Sequence, residues 1–128
     1  MENEQDTATS QRRVVVFSRD LFFGMRIRTT LRQLDYLTVL TKDLPAFDAA
    51  MADPEFPPAL GIIDFNQPVS WEFLSSIGSG TPIIAFGAHT DVDGFRAAKE
   101  AGVARVISNG AFSKSLPDLL ARYAFPVN

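Results

Sequence analysis

The 128-residue sequence contains no cysteine, a single histidine and no long uninterrupted apolar run. Without cysteine it can form neither disulfides nor thiolate sites, and one histidine cannot supply the usual ligand set of a zinc site. The absence of about 18 consecutive apolar residues argues against a membrane-spanning helix. The first eleven residues, MENEQDTATSQ, lack the basic start and apolar centre of a signal peptide. These absences favour a soluble, cytoplasmic protein.

The charge pattern argues against nucleic acid as a partner. The chain carries 15 acidic and 12 basic residues, for a formal net charge of -3. The basic residues are scattered along the chain, whereas nucleic-acid-binding domains usually cluster them on one face. The sequence also lacks both the GxGxxG and the GKS or GKT motifs, so no phosphate-binding loop for a nucleotide is predicted.

What the sequence does contain is a regular alternation of two patterns. Short runs rich in apolar and β-branched residues are typical of buried strands, and they occupy residues 13–17, 36–41, 59–64, 83–86 and 104–108. Between and after them lie segments with helical spacing of apolar residues, predicted as helices over 21–34, 44–51, 71–77, 91–101 and 115–123. Asp43, Thr90 or Asp91, and Ser115 are candidate N-caps, and Gly102 is placed to end the fourth helix.

Five strand–helix repeats predict an α/β fold with a parallel sheet covered on both faces. At this size we expect the flavodoxin-like (βα)5 three-layer sandwich, with strand order 2-1-3-4-5. Residues 1–11 are predicted to form a disordered tail because they contain little to bury, and residues 12–128 to form one domain. Functional groups in such sheets lie beyond the carboxyl ends of the strands. Asp64, the last residue of the third strand, is therefore at the expected site.

Three stretches of the chain, IIDFNQP, AAKEAGVARVI and LPDLLARY, resemble the receiver domain of bacterial two-component response regulators. The resemblance extends over residues 12–124. It implies that Asp64 stands at the phosphoacceptor position. In receivers a Mg²⁺ ion is held by acids after the first strand, a Ser or Thr follows the fourth strand, and a Lys follows the fifth.

This sequence departs from the receiver pattern at most of those positions. Ser18 and Arg19 stand where the resemblance places an acidic pair, and Asp20 is the remaining acid. The switch hydroxyl position falls on Gly87 and the switch aromatic on Val106. The lysine position falls on Asn109, with Lys114 as a fallback candidate for the missing lysine.

We therefore expect a pseudo-receiver, in which the fold is kept without the phosphorelay chemistry. Arg19 is predicted to neutralise Asp64 directly, because a buried carboxylate needs a partner, and a cation at that position repels Mg²⁺. The alternative is a carboxylate bonded to nearby backbone N–H groups in an Asx-type turn. Asp20 is expected to cap the first helix. No cofactor is predicted; if a metal binds at all, its ligands would be Asp20 and Asp64.

The predicted function is a stand-alone, non-enzymatic signalling module without catalytic residues, acting on a protein partner or a second copy of itself. The expected partner face is formed by the fourth helix, the fifth strand and the fifth helix. One alternative is an atypical response regulator still phosphorylated on Asp64, and another is a small-molecule-binding protein or enzyme on a flavodoxin-like sheet. The residues of the expected partner face are Phe95, Arg96, Lys99, Arg105 and Val106.

Overall fold

The computed structural model describes residues 12–77 and 80–124. Five strands alternate with five helices in chain order: β1 (Arg12–Phe17), α1 (Leu21–Gln33), β2 (Tyr36–Thr41), α2 (Leu44–Met51), β3 (Leu60–Asp64), α3 (Trp71–Ser75), β4 (Ile83–Gly87), α4 (Val92–Glu100), β5 (Arg105–Ser108) and α5 (Asn109–Tyr123). The predicted tail, residues 1–11, lies outside the described residues. No helix in the described ranges is long and apolar enough to cross a membrane.

The strands form one parallel sheet in the order β2-β1-β3-β4-β5, so the predicted fold class is confirmed. The register aligns their carboxyl ends: Phe17 pairs with Thr41 and Ile63, Asp64 with Phe86, and Gly87 with Ser108. The strand order changes direction between β1 and β3. The crevice at this switch point contains Asp64, as the sequence predicted.

The core is divided by the sheet into two layers, because successive strand residues point to opposite faces. On one face, residues such as Val14, Val16 and Ile62 pack under α1 and α5. On the other, residues such as Val15 and Ile63 pack under α2, α3 and α4. Every residue of β3 is buried, which explains why its sequence is a continuous apolar run ending in one acid.

Most predicted helix ends are confirmed by their caps. The Asp43 side chain accepts a hydrogen bond from the N–H of Ala46, and Asp91 accepts one from Gly94. Gly102 follows the end of α4 with a φ of 93°, a left-handed conformation that glycine adopts without strain.

The start of the last helix was predicted wrongly. α5 begins at Asn109 with Ser108 as its cap, not near Ser115. The reason is Phe112, which is fully buried and stacks on Phe86 with ring centroids 4.2 Å apart. Burying this ring extends the apolar stripe of α5 by a full turn toward the crevice.

Candidate functional site

Asp64 is the centre of the crevice, and its side chain is 1% exposed. Its Oδ2 accepts a hydrogen bond from the Ser18 hydroxyl at 2.7 Å. Its Oδ1 accepts two, from the backbone N–H of Asn66 at 2.9 Å and from the Asn66 side-chain amide at 2.8 Å. The first of these closes an Asx-type turn. A buried carboxylate is thus satisfied entirely by neutral donors.

Arg19 does not pair with Asp64, so the predicted ion pair is wrong. Its Nε donates to the backbone carbonyl of Lys42 at 3.0 Å, and its own N–H donates to Gln67 Oε1 at 2.9 Å. The residue is exposed. Adjacent residues of an extended chain point to opposite sides. Because Ser18 turns toward Asp64, the next side chain turns away and reaches the segment that follows β2.

Asp20 caps α1, as predicted. Its Oδ1 accepts a hydrogen bond from the N–H of Phe23 at 3.1 Å, and its own N–H donates to the Ser18 hydroxyl oxygen at 3.1 Å. Ser18 therefore accepts from Asp20 and donates to Asp64. The start of α1 and the end of β3 are joined through one hydroxyl group.

Asn109, at the lysine position, is connected to Asp64 through Asn66. The two amides form a reciprocal pair: Asn66 Nδ2 donates to Asn109 Oδ1 at 2.9 Å, and Asn109 Nδ2 donates to Asn66 Oδ1 at 3.0 Å. A chain of hydrogen bonds thus connects Ser18, Asp64, Asn66 and Asn109, which lie near the carboxyl ends of β1, β3 and β5. Lys114 is exposed in the second turn of α5, and no ion pair joins it to Asp64.

Gly87, at the switch hydroxyl position, lies against the ring of Phe65. A Cβ added to Gly87 would lie 2.4 to 2.7 Å from three carbons of that ring, closer than non-bonded atoms approach. Phe65 is buried and makes edge contacts with Trp71 and Phe95, at centroid distances of 5.7 and 5.5 Å. The space beside the end of β4 is therefore filled by an aromatic ring from the end of β3.

The residues of the crevice do not fit a Mg²⁺ site. Magnesium prefers an octahedral shell of oxygens, usually including one or two carboxylates. Of the two acids present, Asp20 caps a helix, and both oxygens of Asp64 already accept hydrogen bonds. Arg19 adds a cation at the edge of the crevice. Within residues 12–77 and 80–124, no cluster of three or more His, Cys, Asp or Glu side chains is arranged to hold a metal ion.

The apolar residues of the expected partner face belong mostly to the core. Phe95 and Val106 are partly buried and pack against the core layer under α4. Arg96, Lys99 and Arg105 are exposed, and Arg96 forms a surface ion pair with Asp93 at 3.7 Å. Such a pair contributes little to stability. Partner binding through this face stays a prediction, and the exposed part of the face is basic rather than apolar.

Sequence reasoning missed Phe65 and Asn66, which do much to determine the form of the crevice. The Asx-type turn at Asp64, predicted as the alternative to the Arg19 pair, is confirmed by the N–H of Asn66, but the contacts of the Asn66 side-chain amide were not predicted. Nothing comparable pointed to Phe65. Its role depends on the missing side chain at Gly87, which is a neighbour only across the sheet.

Comparison with solved structures finds receiver domains at high probability. The Vibrio cholerae chemotaxis protein CheY4 superposes with a TM-score of 0.73 at 19% identity, over 89% of this chain and 99% of that one. A response regulator receiver protein from Burkholderia phymatum gives 0.71 at 25% identity, over 91% and 100%. The receiver domain of a Pseudomonas aeruginosa sensor histidine kinase, with magnesium in its active-site cleft, gives 0.74 at 17%, over 89% and 98%.

No protein-family profile matches the sequence, and no curated protein matches it significantly. The chain therefore has the fold of response-regulator receiver domains, as its sequence motifs predicted, and its sequence is 17 to 25% identical to those of these three structures.

Proposed function

We propose that this chain, which has the receiver fold, is a non-enzymatic signalling module that acts by binding another protein and does not transfer a phosphoryl group through Asp64. The observation that carries this proposal is the state of the Asp64 carboxylate. It is buried, and both of its oxygens are held by neutral donors belonging to Ser18 and Asn66.

A phosphoryl group on Asp64 would be poorly accommodated in this crevice. It would add about two negative charges, and in a site shielded from water those charges need cations or several hydrogen-bond donors. In the described part of the chain no Lys or Arg side chain forms an ion pair with Asp64. The lysine position is occupied by Asn109, whose amide is already paired with Asn66.

The end of β4 supports the same interpretation. In receivers a hydroxyl at this position bonds the phosphoryl group, whereas Gly87 has no side chain and the ring of Phe65 lies against its Cα. A side chain cannot be introduced there without displacing a ring that also packs on Trp71 and Phe95. This packing supports the proposal, because a switch at this position needs room for two side-chain arrangements.

The proposal is tested by offering the protein a phosphoryl mimic. We expect ¹⁹F NMR with beryllofluoride and Mg²⁺ to show no protein-bound fluoride, and intact-mass analysis after acetyl phosphate to show no adduct. The Asp64→Asn variant is the matched control for signals that do not involve this carboxylate. The P. aeruginosa receiver domain, whose structure holds magnesium in its cleft, controls for the activity of the reagents.

A Mg²⁺-dependent fluoride signal or phosphoryl adduct that disappears in Asp64→Asn would contradict the proposal. It would favour the alternative of an atypical response regulator phosphorylated on Asp64. In that case the Asp20→Asn variant shows whether Asp20 binds the metal ion. Loss of the signal would identify Asp20 as the metal ligand after β1, and an unchanged signal would mean that Asp20 serves only as a helix cap.

A further inference from the structure

The first turns of α1 expose three large apolar side chains at one place on the surface. Leu21 is 68% exposed, Phe22 83% and Met25 48%. Residues three or four positions apart on a helix are neighbours, so Met25 lies one turn beyond both Leu21 and Phe22. Single exposed apolar residues are ordinary, but a contiguous group marks an interaction site.

The remainder of α1 is basic. The helix contains Arg26, Arg28 and Arg32 and no acidic residue, although acids outnumber bases in the whole chain, 15 to 12. None of the three arginines forms an ion pair with the described residues. We use the name α1 face for Leu21, Phe22, Met25, Arg26 and Arg32, all of which are exposed.

A groove runs beside this face, between α1 and α5. Its cavity volume is about 40 Å³, and its walls include Phe23 and Ile27 from α1 and Phe112 and Leu116 from α5. Arg26 and Thr30 line both this groove and the shallow depression around Met25. The groove and the exposed apolar side chains therefore form one continuous surface.

We propose that the α1 face and its groove bind an acidic amphipathic helix of a partner protein, which deepens and rests on the function proposed above. The apolar stripe of such a helix would cover Phe22 and Met25 and insert a side chain into the groove. Its acidic flanks would meet the unpaired arginines.

Two other occupants fit the surface less well. A second copy of the chain, paired through the same face, would place these arginines against their symmetry equivalents, which like-charge repulsion opposes. An anionic membrane would attract the arginines and accept the exposed apolar residues, but a planar surface leaves the groove between α1 and α5 unfilled.

The test uses a designed fluorescent peptide of about 18 residues, long enough to form a helix, with a leucine stripe flanked by glutamates. The comparison peptide carries lysine at each glutamate position. We expect the glutamate peptide to bind and to shift amide NMR signals of α1 and of the α5 residues that line the groove.

The variant combining Phe22→Ser and Met25→Ser should bind the peptide at least about tenfold more weakly. The variant combining Arg26→Glu and Arg32→Glu should prefer the lysine peptide to the glutamate peptide.

Matched controls lie away from α1. Val92→Ser removes an apolar side chain that is 61% exposed, and Lys42→Glu reverses an exposed charge; neither should change peptide affinity. Absence of glutamate-peptide binding, equal binding of the lysine peptide, or NMR shifts confined to α4 would overturn the proposal. So would Phe22-dependent sedimentation with phosphatidylglycerol vesicles or Phe22-dependent dimerisation, in the absence of peptide binding.

Repeating the titration with beryllofluoride and Mg²⁺ separates this proposal from the one on which it rests. Binding that is equal with and without the mimic supports both. If the peptide binds the α1 face only when the mimic is present, the proposed binding surface is supported, but the proposal that the protein acts independently of phosphorylation is contradicted. No binding in either condition overturns the surface alone.

Discussion

At the residue scale, Asp64 offers a way to separate the charge of a buried carboxylate from its hydrogen bonds. Three donor contacts from Ser18 and Asn66 converge on its two oxygens. If these neutral contacts are what the protein needs from Asp64, an amide of the same shape should replace it better than a small apolar side chain.

We therefore predict that Asp64→Ala lowers the free energy of unfolding by about 2–4 kcal/mol, because buried donors lose their acceptor. Asp64→Asn should cost clearly less, since its carbonyl can still accept from Asn66 and its amide can donate to Ser18. Urea denaturation of both variants measures the difference. Equal losses for the two variants would show that the negative charge itself is required.

Gly87 supports a second prediction at this scale. Gly87→Ala places a methyl group within 2.4 Å of the Phe65 ring, and overpacking of this kind costs about 1–3 kcal/mol. Thermal and urea denaturation measure the loss. The combined variant Gly87→Ala with Phe65→Ala should be less destabilised than the sum of its two changes, because removing the ring removes the clash.

The matched control is Gly110→Ala, the same chemical change in the first turn of α5. A Cβ at Gly110 would meet nothing within 4 Å, so this variant should be neutral or gain about 0.4–1 kcal/mol from reduced freedom of the unfolded chain. A Gly87→Ala variant as stable as Gly110→Ala would mean that Phe65 moves away readily, and the argument that this position lacks a switch would be wrong.

At the scale of elements, the caps connect helix starts to the crevice. Asp20 accepts the N–H of Phe23 and donates its own N–H to Ser18, so the beginning of α1 and the partner of Asp64 are fixed together. α5 is tied in the same way, through the Asn66–Asn109 amide pair at its first residue.

Replacement of the α1 cap distinguishes its structural role from metal binding. Asp20→Ala should lower stability by about 1 kcal/mol, whereas Asp20→Asn should leave it almost unchanged, because asparagine caps helices as well as aspartate does. Calorimetry in the presence of EDTA measures both variants. If Asp20→Asn were as destabilising as Asp20→Ala, the carboxylate charge near the helix dipole, and not the cap hydrogen bond, would be the stabilising element.

At the scale of the whole molecule, the folded protein should be insensitive to magnesium. A ligand that binds only the folded state raises stability by about 1.4 kcal/mol at ten times its dissociation constant. We expect the melting temperature to be the same with EDTA and with millimolar Mg²⁺. The variant combining Ser18→Asp and Arg19→Asp introduces an acidic pair. It should be less stable than the parent chain in EDTA, because the carboxylate introduced at Ser18 lies close to Asp64, and should be stabilised by Mg²⁺.

A magnesium-dependent rise in the melting temperature of the parent chain that vanishes in Asp64→Asn would contradict this expectation. A rise that persists in Asp64→Asn would place the ion elsewhere on this acidic protein.

The sequence anticipated the elements well wherever the pattern was local. Apolar spacing with a period of two or 3.6 residues, helix caps and terminating glycines all act within a few residues of the chain. The structure confirms the predicted caps Asp20, Asp43 and Asp91 and the terminating Gly102. α5 was the exception. Its first turn forms because Phe112 stacks on Phe86 of β4, a contact between residues distant in the chain that no local pattern reveals.

By itself, then, the sequence determined five strand–helix repeats, the parallel sheet and the place of Asp64 at the switch point. Only the tertiary structure decided that Ser18 and Asn66, and not Arg19, satisfy Asp64, and that Phe65 fills the space beside Gly87. The reason is physical. Which of two adjacent side chains enters a crevice depends on the register and twist of neighbouring strands, which bring together residues distant in the chain.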